Sequence, residues 1–491
     1  MIVLDGTSLT CAAVAALARR QERPEVSEAG LWRARAAAET ARALAAQAAA
    51  EGRPVYGLTT GVGFNRRLSV SPEDERAAGL RLVRSHAAGA GPPLAPEIGL
   101  GMLAVRANQV MAGGSGVTAG VLPVLADCVS QGCCPPAYRY GAIGTADLTA
   151  LASAALCLLG ERDWIAASQP ETAAARQPRF AFDPGDLLAF MSSNAATLAE
   201  AAIACHDLGR MVRASTVIAA LSHLAARASA EPYAEAVQQA RPHPGQEEVA
   251  RELRDLLSGE AAPVARVQDP YGYRALPQVQ GNAVDAVRSA TAVVTTELNS
   301  AAENPLIDVA GQRIWHNGNF HTAYLSHALD AARSAIFQAA SLSVARLGSL
   351  LDERTTGVTT FLASETAPSS GLMMAEYAAH SAVADIRRLA APVVLGGAVL
   401  SVGAEEHAGF GTQAAWSATQ TVEPYRVVLA CELVAAVRAL RQRGDRTAAA
   451  ASGRLATAFE AATAVLPAAM ADRPLEKDLS LANGLLDVLA G

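Results

Sequence analysis

The feature of this sequence that most constrains its fold is a helical repeat of apolar residues between positions 331 and 351. Apolar side chains recur there at intervals of three and four, at Ile336, Ala339, Ala340, Val344, Leu347 and Leu351. This spacing places them on one face of a helix and predicts that the face is buried. The segment 31–50 and the last fifty residues are also rich in alanine, which favours further helices.

The composition indicates how such helices pack. Hydrophobic residues make up 51% of the chain and aromatic residues only 4%, so the core must consist largely of alanine, leucine and valine. Small side chains favour close-packed helices over sheets. With 491 residues, the chain is long enough for several average domains or for one large helical assembly.

Charge, cysteines and hydropathy exclude several classes of protein. The net charge of −7 argues against a nucleic-acid-binding surface. The seven cysteines have neither zinc-ligand nor redox spacing, so we expect reduced, mostly buried thiols. The apolar run 389–404 is shorter than the roughly 20 residues of a membrane span, and we expect a buried loop and helix. The first residues lack a basic signal-peptide region. We therefore predict a cytoplasmic protein that binds neither nucleic acid nor membranes.

The segment from Gly141 to Leu148 has two glycines just before an apolar stretch. Thr145 and Asp147 are both good N-cap residues for a helix that follows. Backbone N–H groups at a helix start form an electropositive pocket. From these residues alone, the simplest interpretation is a capped helix.

Two other irregular segments are rich in groups that can do chemistry. Tyr56 begins a loop with three glycines, so it is either a packing residue or a mobile acid–base group. The segment 266–281 combines two prolines and two glycines with Gln268, Tyr271 and Arg274, which indicates a site more than a linker. His316 and His321 have no carboxylate at ligand spacing, and we expect no metal site.

These segments resemble, in the same order, motifs of the histidine and phenylalanine ammonia-lyases. The segment 56–63 matches the family's Tyr-Gly-x-x-Thr-Gly-x-Gly loop, and 267–279 matches Val-Gln-Asp-Pro-Tyr-Ser-x-Arg-x-x-Pro-Gln-Val. Gly144-Thr145-Ala146 stands where the family has Ala-Ser-Gly before Asp-Leu. The resemblance implies a mainly α fold, with a loop-rich catalytic domain over residues 1–200. It implies a long antiparallel helical bundle over residues 201–491.

The resemblance also implies roles for individual residues. Tyr56 would be the catalytic base, Tyr271 would lie beside the reacting amine, and Arg274 would bind the substrate carboxylate through its planar fork. The remaining substrate-binding positions are His86, Asn194, Gln268, Phe320 and Glu405. His86 and Glu405 favour an imidazole or another polar ring on an amino-acid-like substrate. The family implies a homotetramer whose sites are shared between chains.

The family's Ala-Ser-Gly tripeptide cyclises to an electrophilic 4-methylidene-imidazol-5-one (MIO) group. In this chain Thr145 keeps a hydroxyl that could leave as water. Its extra methyl group would crowd the attacking amine, and the Cβ of Ala146 restricts the tight geometry that glycine permits. We therefore favour an uncyclised peptide at Gly144-Thr145-Ala146, with a MIO-like group formed from these residues as the alternative.

The sequence thus predicts a carbon–nitrogen lyase similar to histidine ammonia-lyase, with Tyr56 as base. One alternative is a homologue without MIO that catalyses a different elimination, addition, cyclisation or aminomutase reaction with the same base. Another is a non-catalytic homologue that binds an amino acid. Tyr56, Tyr271 and Arg274 favour an enzyme, because a binding protein has no need of a mobile base.

Overall fold

The computed structural model describes residues 1–71, 73–167, 177–258, 266–365, 368–444 and 453–491. These residues are mainly helical, as predicted. The α-helices are Cys11–Ala18, Glu28–Ala50, Glu75–His86, Pro96–Met111, Val121–Gln131, Leu148–Leu159, Asp186–Met191, Ala195–Ala226, Glu235–Gln239, Pro244–Leu256, Tyr271–Arg274, Leu276–Leu298, Ala323–Leu350, Glu353–Thr356, Met373–Leu389, Gly411–Gln442, Gly453–Val465 and Glu476–Leu489. Short 3-10 helices are Gly63–Arg67, Glu231–Tyr233, Thr360–Leu362 and Ser401–Gly403.

The strands are short and form two-stranded pairs. Ile2–Leu4 pairs in parallel with Pro24–Val26, so that Ile2 lies opposite Pro24. The antiparallel pairs are Ala90–Pro93 with Tyr138–Tyr140, Cys133–Cys134 with Ile165–Ala166, and Leu306–Asp308 with Arg313–Trp315. With sheets this small, the helices supply the core.

The chain forms two compact units. Unit 1 comprises Met1–His206, Thr291–Ala328 and Pro392–Trp416, and unit 2 comprises Asp207–Ala290, Leu329–Ala391 and Ser417–Gly491. A single division at residue 200 does not include the two later segments of unit 1. These two segments belong to unit 1 because long helices lead the chain out of that unit and back to it. Sequence periodicity does not show where a chain returns.

Helices of unit 1 pack through small side chains. Ala15, Ala18 and Ile203 form a buried cluster. The helix Pro96–Met111 is buried along most of its length, including the guanidinium of Arg106. Low aromatic content thus gives close contacts between helices, as the composition indicates. All seven cysteines are buried, free thiols.

Unit 2 contains the helical repeat of apolar residues between positions 331 and 351. The six apolar residues of that repeat are all buried, so the predicted helix face is confirmed. A buried ion pair between Glu432 and Arg346 lies beside them. Glu432 accepts hydrogen bonds from Arg346 Nε at 2.6 Å and from Ser222 Oγ at 2.7 Å. These contacts tie three of the long helices together, since each partner lies on a different one.

Two local expectations need correction. The segment 389–404 is not a buried loop and helix: after Leu389 it is largely an exposed loop, with Leu395 84% and Val402 85% accessible. Pro392 follows shortly after the last helical residue and cannot continue the helix, so the apolar side chains beyond it are left outside. The segment 266–281 is not irregular throughout, because Tyr271–Arg274 forms one helical turn and a long helix starts at Leu276. Pro277 fits there because the first helical turn needs no N–H donor.

One helical stretch among the described residues, Asp186–Ala226, is long and apolar enough to cross a membrane. Its most apolar window is 89% buried inside the protein, which is typical of a core helix.

Candidate functional site

A cavity of about 760 Å³ in unit 1 brings together six of the predicted site residues. They are Tyr56, His86, Thr145, Ala146, Phe320 and Glu405. We call it the Tyr56 cavity. These residues are scattered over 350 positions of the sequence, from 56 to 405, and only the fold gathers them. Their chemical roles stay predictions.

The loop that begins at Tyr56 contacts the hydroxyl of the same tyrosine. The Tyr56 hydroxyl accepts a hydrogen bond from the Gly63 amide at 2.9 Å, and the Tyr56 amide donates to His316 Nε2 at 3.2 Å. Gly57 and Gly63 have φ values of 71° and 57°, a left-handed backbone that favours glycine. Glycines therefore shape the loop that holds the hydroxyl at the cavity.

The tripeptide that replaces Ala-Ser-Gly has an unusual backbone. Gly144 has φ of 87°, and a Cβ there would lie 2.2 Å from Thr322 Oγ1, so this position needs glycine. Ala146 has φ of 80°, a conformation that costs a non-glycine residue about 1 kcal/mol or more. Thr145 forms a backbone bridge with His321. In Ala-Ser-Gly the glycine is the third residue, whereas in this tripeptide it is the first.

Three hydrogen bonds hold the backbone of this tripeptide in place. The Gly144 carbonyl accepts from the Thr322 amide at 3.2 Å and from the Thr322 hydroxyl at 3.0 Å. The Ala146 amide donates to Asn194 Oδ1 at 3.0 Å, and Asn194 Nδ2 donates to the Phe320 carbonyl at 2.7 Å. Asn194 therefore contacts the tripeptide directly.

Asp147 sits at the N-cap position of Leu148–Leu159, as predicted, but its side chain serves another helix. It accepts hydrogen bonds from the Thr197 amide at 2.7 Å and the Thr197 hydroxyl at 2.8 Å, near the start of Ala195–Ala226. Burial raises the pKa of the Asp147 carboxyl to about 6, against the opposing effect of these hydrogen bonds. The Thr145 side chain makes no cap contact at this helix start.

The His86 ring at the cavity wall and the histidine that follows Phe320 each have a defined partner. The His86 Nδ1 lies 2.9 Å from the Leu82 carbonyl, which can only accept, so Nδ1 carries a proton. In the neutral ring this leaves Nε2 as an acceptor. His321 Nε2 lies 3.0 Å from His407 Nδ1. The described residues include no group of three or more side chains placed to hold a metal ion.

Three other predicted residues, Gln268, Tyr271 and Arg274, lie in unit 2. Tyr271 is 70% exposed, and the Arg274 guanidinium stacks over its ring at 5.0 Å. Gln268 is exposed beside them. All described residues that line the Tyr56 cavity belong to unit 1, so these three do not line it.

The sequence analysis missed Thr322 and Thr197. Thr322 follows His321 directly, and Thr197 lies three positions after Asn194, but a lone threonine gives no sequence signal of its contacts. Their importance depends on the groups they contact in the fold, which are the Gly144 carbonyl for Thr322 and the Asp147 carboxylate for Thr197.

Comparison with known proteins now decides the family. Residues 9–464 match the model of the aromatic amino acid lyases. The chain belongs to the aromatic amino acid lyase family. The prediction of an ammonia-lyase-type enzyme is therefore confirmed at the level of the family, as is the mainly helical fold.

Individual relatives extend over nearly the whole chain. A histidine ammonia-lyase of Sorangium cellulosum is 34% identical over 502 aligned positions, which cover 99% of this chain and 97% of that protein. The crystal structure of histidine ammonia-lyase from Trypanosoma cruzi has a TM-score of 0.88 at 28% identity, covering 99% and 93% of the two chains. Tyrosine aminomutase from Streptomyces globisporus has a TM-score of 0.91 at 26% identity, covering 99% and 97%.

Proposed function

We propose that this lyase eliminates ammonia from an imidazole-bearing or aromatic α-amino acid, with Tyr56 as the base. The observation that carries the proposal is the Tyr56 cavity, where a phenol, an imidazole, a carboxylate and an aromatic ring face one space of about 760 Å³. That volume suits an amino acid of the size of histidine. The named activity of the 34% identical relative supports the same reaction.

The cavity offers a partner for each part of a histidine-like substrate. Glu405 would accept a hydrogen bond from the ring N–H and favour the ring's protonated form. His86 would accept a second hydrogen bond through Nε2. Because a protonated imidazole withdraws electrons from the neighbouring carbon, its β-proton becomes more acidic. The Tyr56 oxygen could then remove that proton while the amine leaves.

The Gly63 amide donates to the Tyr56 oxygen at 2.9 Å, which positions the phenol at the cavity. General-base catalysis by a positioned side chain contributes about 10²–10⁴-fold to the rate.

We also propose that Gly144-Thr145-Ala146 stays an open peptide, so no step here uses a MIO group. Ring closure between the Ala146 nitrogen and the Gly144 carbonyl carbon would remove both the N–H and the oxygen that now hydrogen-bond to Asn194 and Thr322. Three hydrogen bonds would be lost, and Asn194 Oδ1 would be left buried without its donor. A cyclised, dehydrated chain weighs two waters less than the sequence mass and absorbs in the near ultraviolet. An unmodified intact mass is expected.

A second candidate follows from the open peptide. Without an electrophile, a substrate whose nitrogen already leaves easily, such as a quaternary ammonium, would react faster than a primary amine. The same base could also serve an aminomutase, the activity named for the 26% identical structure. A non-catalytic amino-acid-binding homologue would turn over none of these substrates.

The substrate carboxylate would be bound by Arg274, with Tyr271 and Gln268 beside it. We propose that these residues come from a neighbouring subunit of a homotetramer that acts in the cytoplasm. The exposure of Tyr271, which is 70% accessible, and of Gln268 in the single chain supports this. Mixing tests the idea. Oligomers assembled from equal parts of Tyr56→Phe and Arg274→Ala chains would have about a quarter of their sites intact if two chains supply each site. They would have none if one chain supplies both residues.

The deciding experiment for the function is a substrate panel. Purified protein is incubated with histidine, phenylalanine, tyrosine and the α-N-trimethyl derivative of histidine. Released amine and conjugated acrylate are then measured. We expect histidine to be preferred over phenylalanine. A preference for the trimethyl derivative would support the second candidate, whereas a β-amino acid product would indicate an aminomutase.

A matched pair of variants tests the substrate ring contact. Glu405→Gln should reduce kcat/KM for histidine about tenfold and spare phenylalanine, because only the imidazole donates a hydrogen bond there. Glu406→Gln removes the same charge from the exposed neighbouring residue and should change neither. Equal losses for both substrates in Glu405→Gln would contradict the assignment.

A further inference from the structure

A second cavity of about 860 Å³ in unit 1 adjoins the Tyr56 cavity and takes no part in the chemistry above. The two cavities share lining residues of the Tyr56 loop, among them Leu58, Thr60 and Val70. The second one is lined by four acidic residues, Glu75, Asp183, Asp186 and Glu303. We call it the acidic cavity.

Two of these four carboxylates have their charges compensated. Asp183 pairs with Arg42 at 3.2 Å, and Glu303 Oε1 pairs with Arg106 Nη1 at 2.7 Å. The remaining arginine of the wall, Arg53, pairs with Glu51 at 3.2 Å. The cations near the cavity are therefore already engaged.

The other two carboxylates lack a cation among the described residues. Asp186 accepts hydrogen bonds from the amides of Thr118 at 3.2 Å and Asp183 at 3.0 Å, but from no charged donor. Burial raises the pKa of the Asp186 carboxyl to about 6 and also raises the pKa of Glu75. The wall of the acidic cavity therefore holds two carboxyl groups that no cation among the described residues compensates.

Glu303 supplies an independent sign that a ligand is missing. Its side chain is only 2% exposed, and its Oε2 is buried with no hydrogen-bond partner among the residues that the structure describes. The three nitrogens of Arg106 are committed to Glu303 Oε1 and to the carbonyls of Phe190 and Ala189. A buried carboxylate oxygen without a donor costs free energy, and a donor from the cavity would remove that cost.

We propose that the acidic cavity binds ammonium, with Glu303 Oε2 as one of its acceptors. Ammonium is small, carries the charge that Glu75 and Asp186 leave uncompensated, and donates hydrogen bonds in four directions. The source of the ammonium rests on the proposed elimination, because ammonia is its second product. A cavity that adjoins the Tyr56 loop would take up this product beside the site where it forms.

The test measures binding without turnover, so it is independent of the proposed lyase activity. The melting temperature of the assembled, full-length protein is recorded against ammonium chloride, with sodium chloride keeping the ionic strength constant. Potassium chloride is the matched control, because potassium has a similar size and donates no hydrogen bond. We expect a saturable rise in melting temperature with ammonium alone.

Three variants locate the site. Glu303→Gln keeps an oxygen for Arg106 but presents N–H groups to the cavity, so half-saturation by ammonium should need about tenfold more. Glu75 makes no side-chain hydrogen bond to the residues that the structure describes, so Glu75→Gln should weaken binding severalfold even if Glu303→Gln does not fold. Glu25→Gln removes one charge from an exposed strand and should bind as the wild type does. An equal response to potassium would overturn the proposal, as would unchanged half-saturation in Glu75→Gln.

Discussion

Replacing Tyr56 by phenylalanine separates catalysis from folding, because the structure assigns the hydroxyl one modest contact. The hydroxyl accepts a single hydrogen bond, from the Gly63 amide at 2.9 Å, in a partly exposed loop. Losing it should lower the free energy of unfolding by about 1 kcal/mol at most. Loss of a general base should lower kcat by 10²–10⁴-fold, which corresponds to about 3–5 kcal/mol in the barrier.

The assay is initial-rate formation of amine and acrylate, together with urea unfolding of the same preparations. Tyr140→Phe is the control, because that tyrosine is 67% exposed and does not line the Tyr56 cavity. The reasoning would be refuted if Tyr56→Phe kept more than a tenth of the wild-type kcat. It would also be refuted if the control variant lost as much activity.

Three further predictions concern the tripeptide, the carboxylate clamp and a buried acid. Ala146→Gly should raise the free energy of unfolding by up to about 1 kcal/mol, because a φ of 80° suits glycine. A variant that unfolds at lower urea concentrations than the wild type would contradict this backbone conformation. Arg274→Lys should raise KM about tenfold through loss of the planar fork, and an unchanged KM would remove Arg274 from the site. Asp147 has a folded-state pKa near 6, above its ordinary value, so the native state retains a proton as pH rises from about 4 to about 6. Over that window the wild type should lose about 2 kcal/mol of stability relative to Asp147→Asn. If the free energies of unfolding of the two proteins changed equally with pH, the raised pKa of Asp147 would be contradicted.

Much of the helical architecture follows from the sequence because local chemistry determines it. The spacing of Ile336, Val344 and Leu347 requires one apolar helix face, and that face is buried. The loop around Tyr56 was predictable for a similar reason, since its glycines exclude a regular element. The order of the family motifs placed the six residues of the Tyr56 cavity in one predicted site, although no local sequence feature links these residues to one another.

What the sequence could not predict depends on contacts between distant segments. Asp147 has the sequence pattern of a helix cap, but it bonds to Thr197, because the start of a second helix lies beside it. The run 389–404 is apolar and was expected inside, yet Leu395 is exposed since the helix ends before it. The acidic cavity also had no sequence signal, because Glu75, Asp186 and Glu303 lie far apart and only the fold leaves Glu303 Oε2 without a donor.

The most direct test of the account is to incubate the assembled wild-type protein and Tyr56→Phe with histidine. Ammonia and conjugated acrylate are measured in the same samples. The account predicts that the wild type releases the two products in equal amounts, at a rate at least a hundredfold above that of the variant. Equal rates in the two proteins would contradict it, as would the absence of both products from every substrate of the panel.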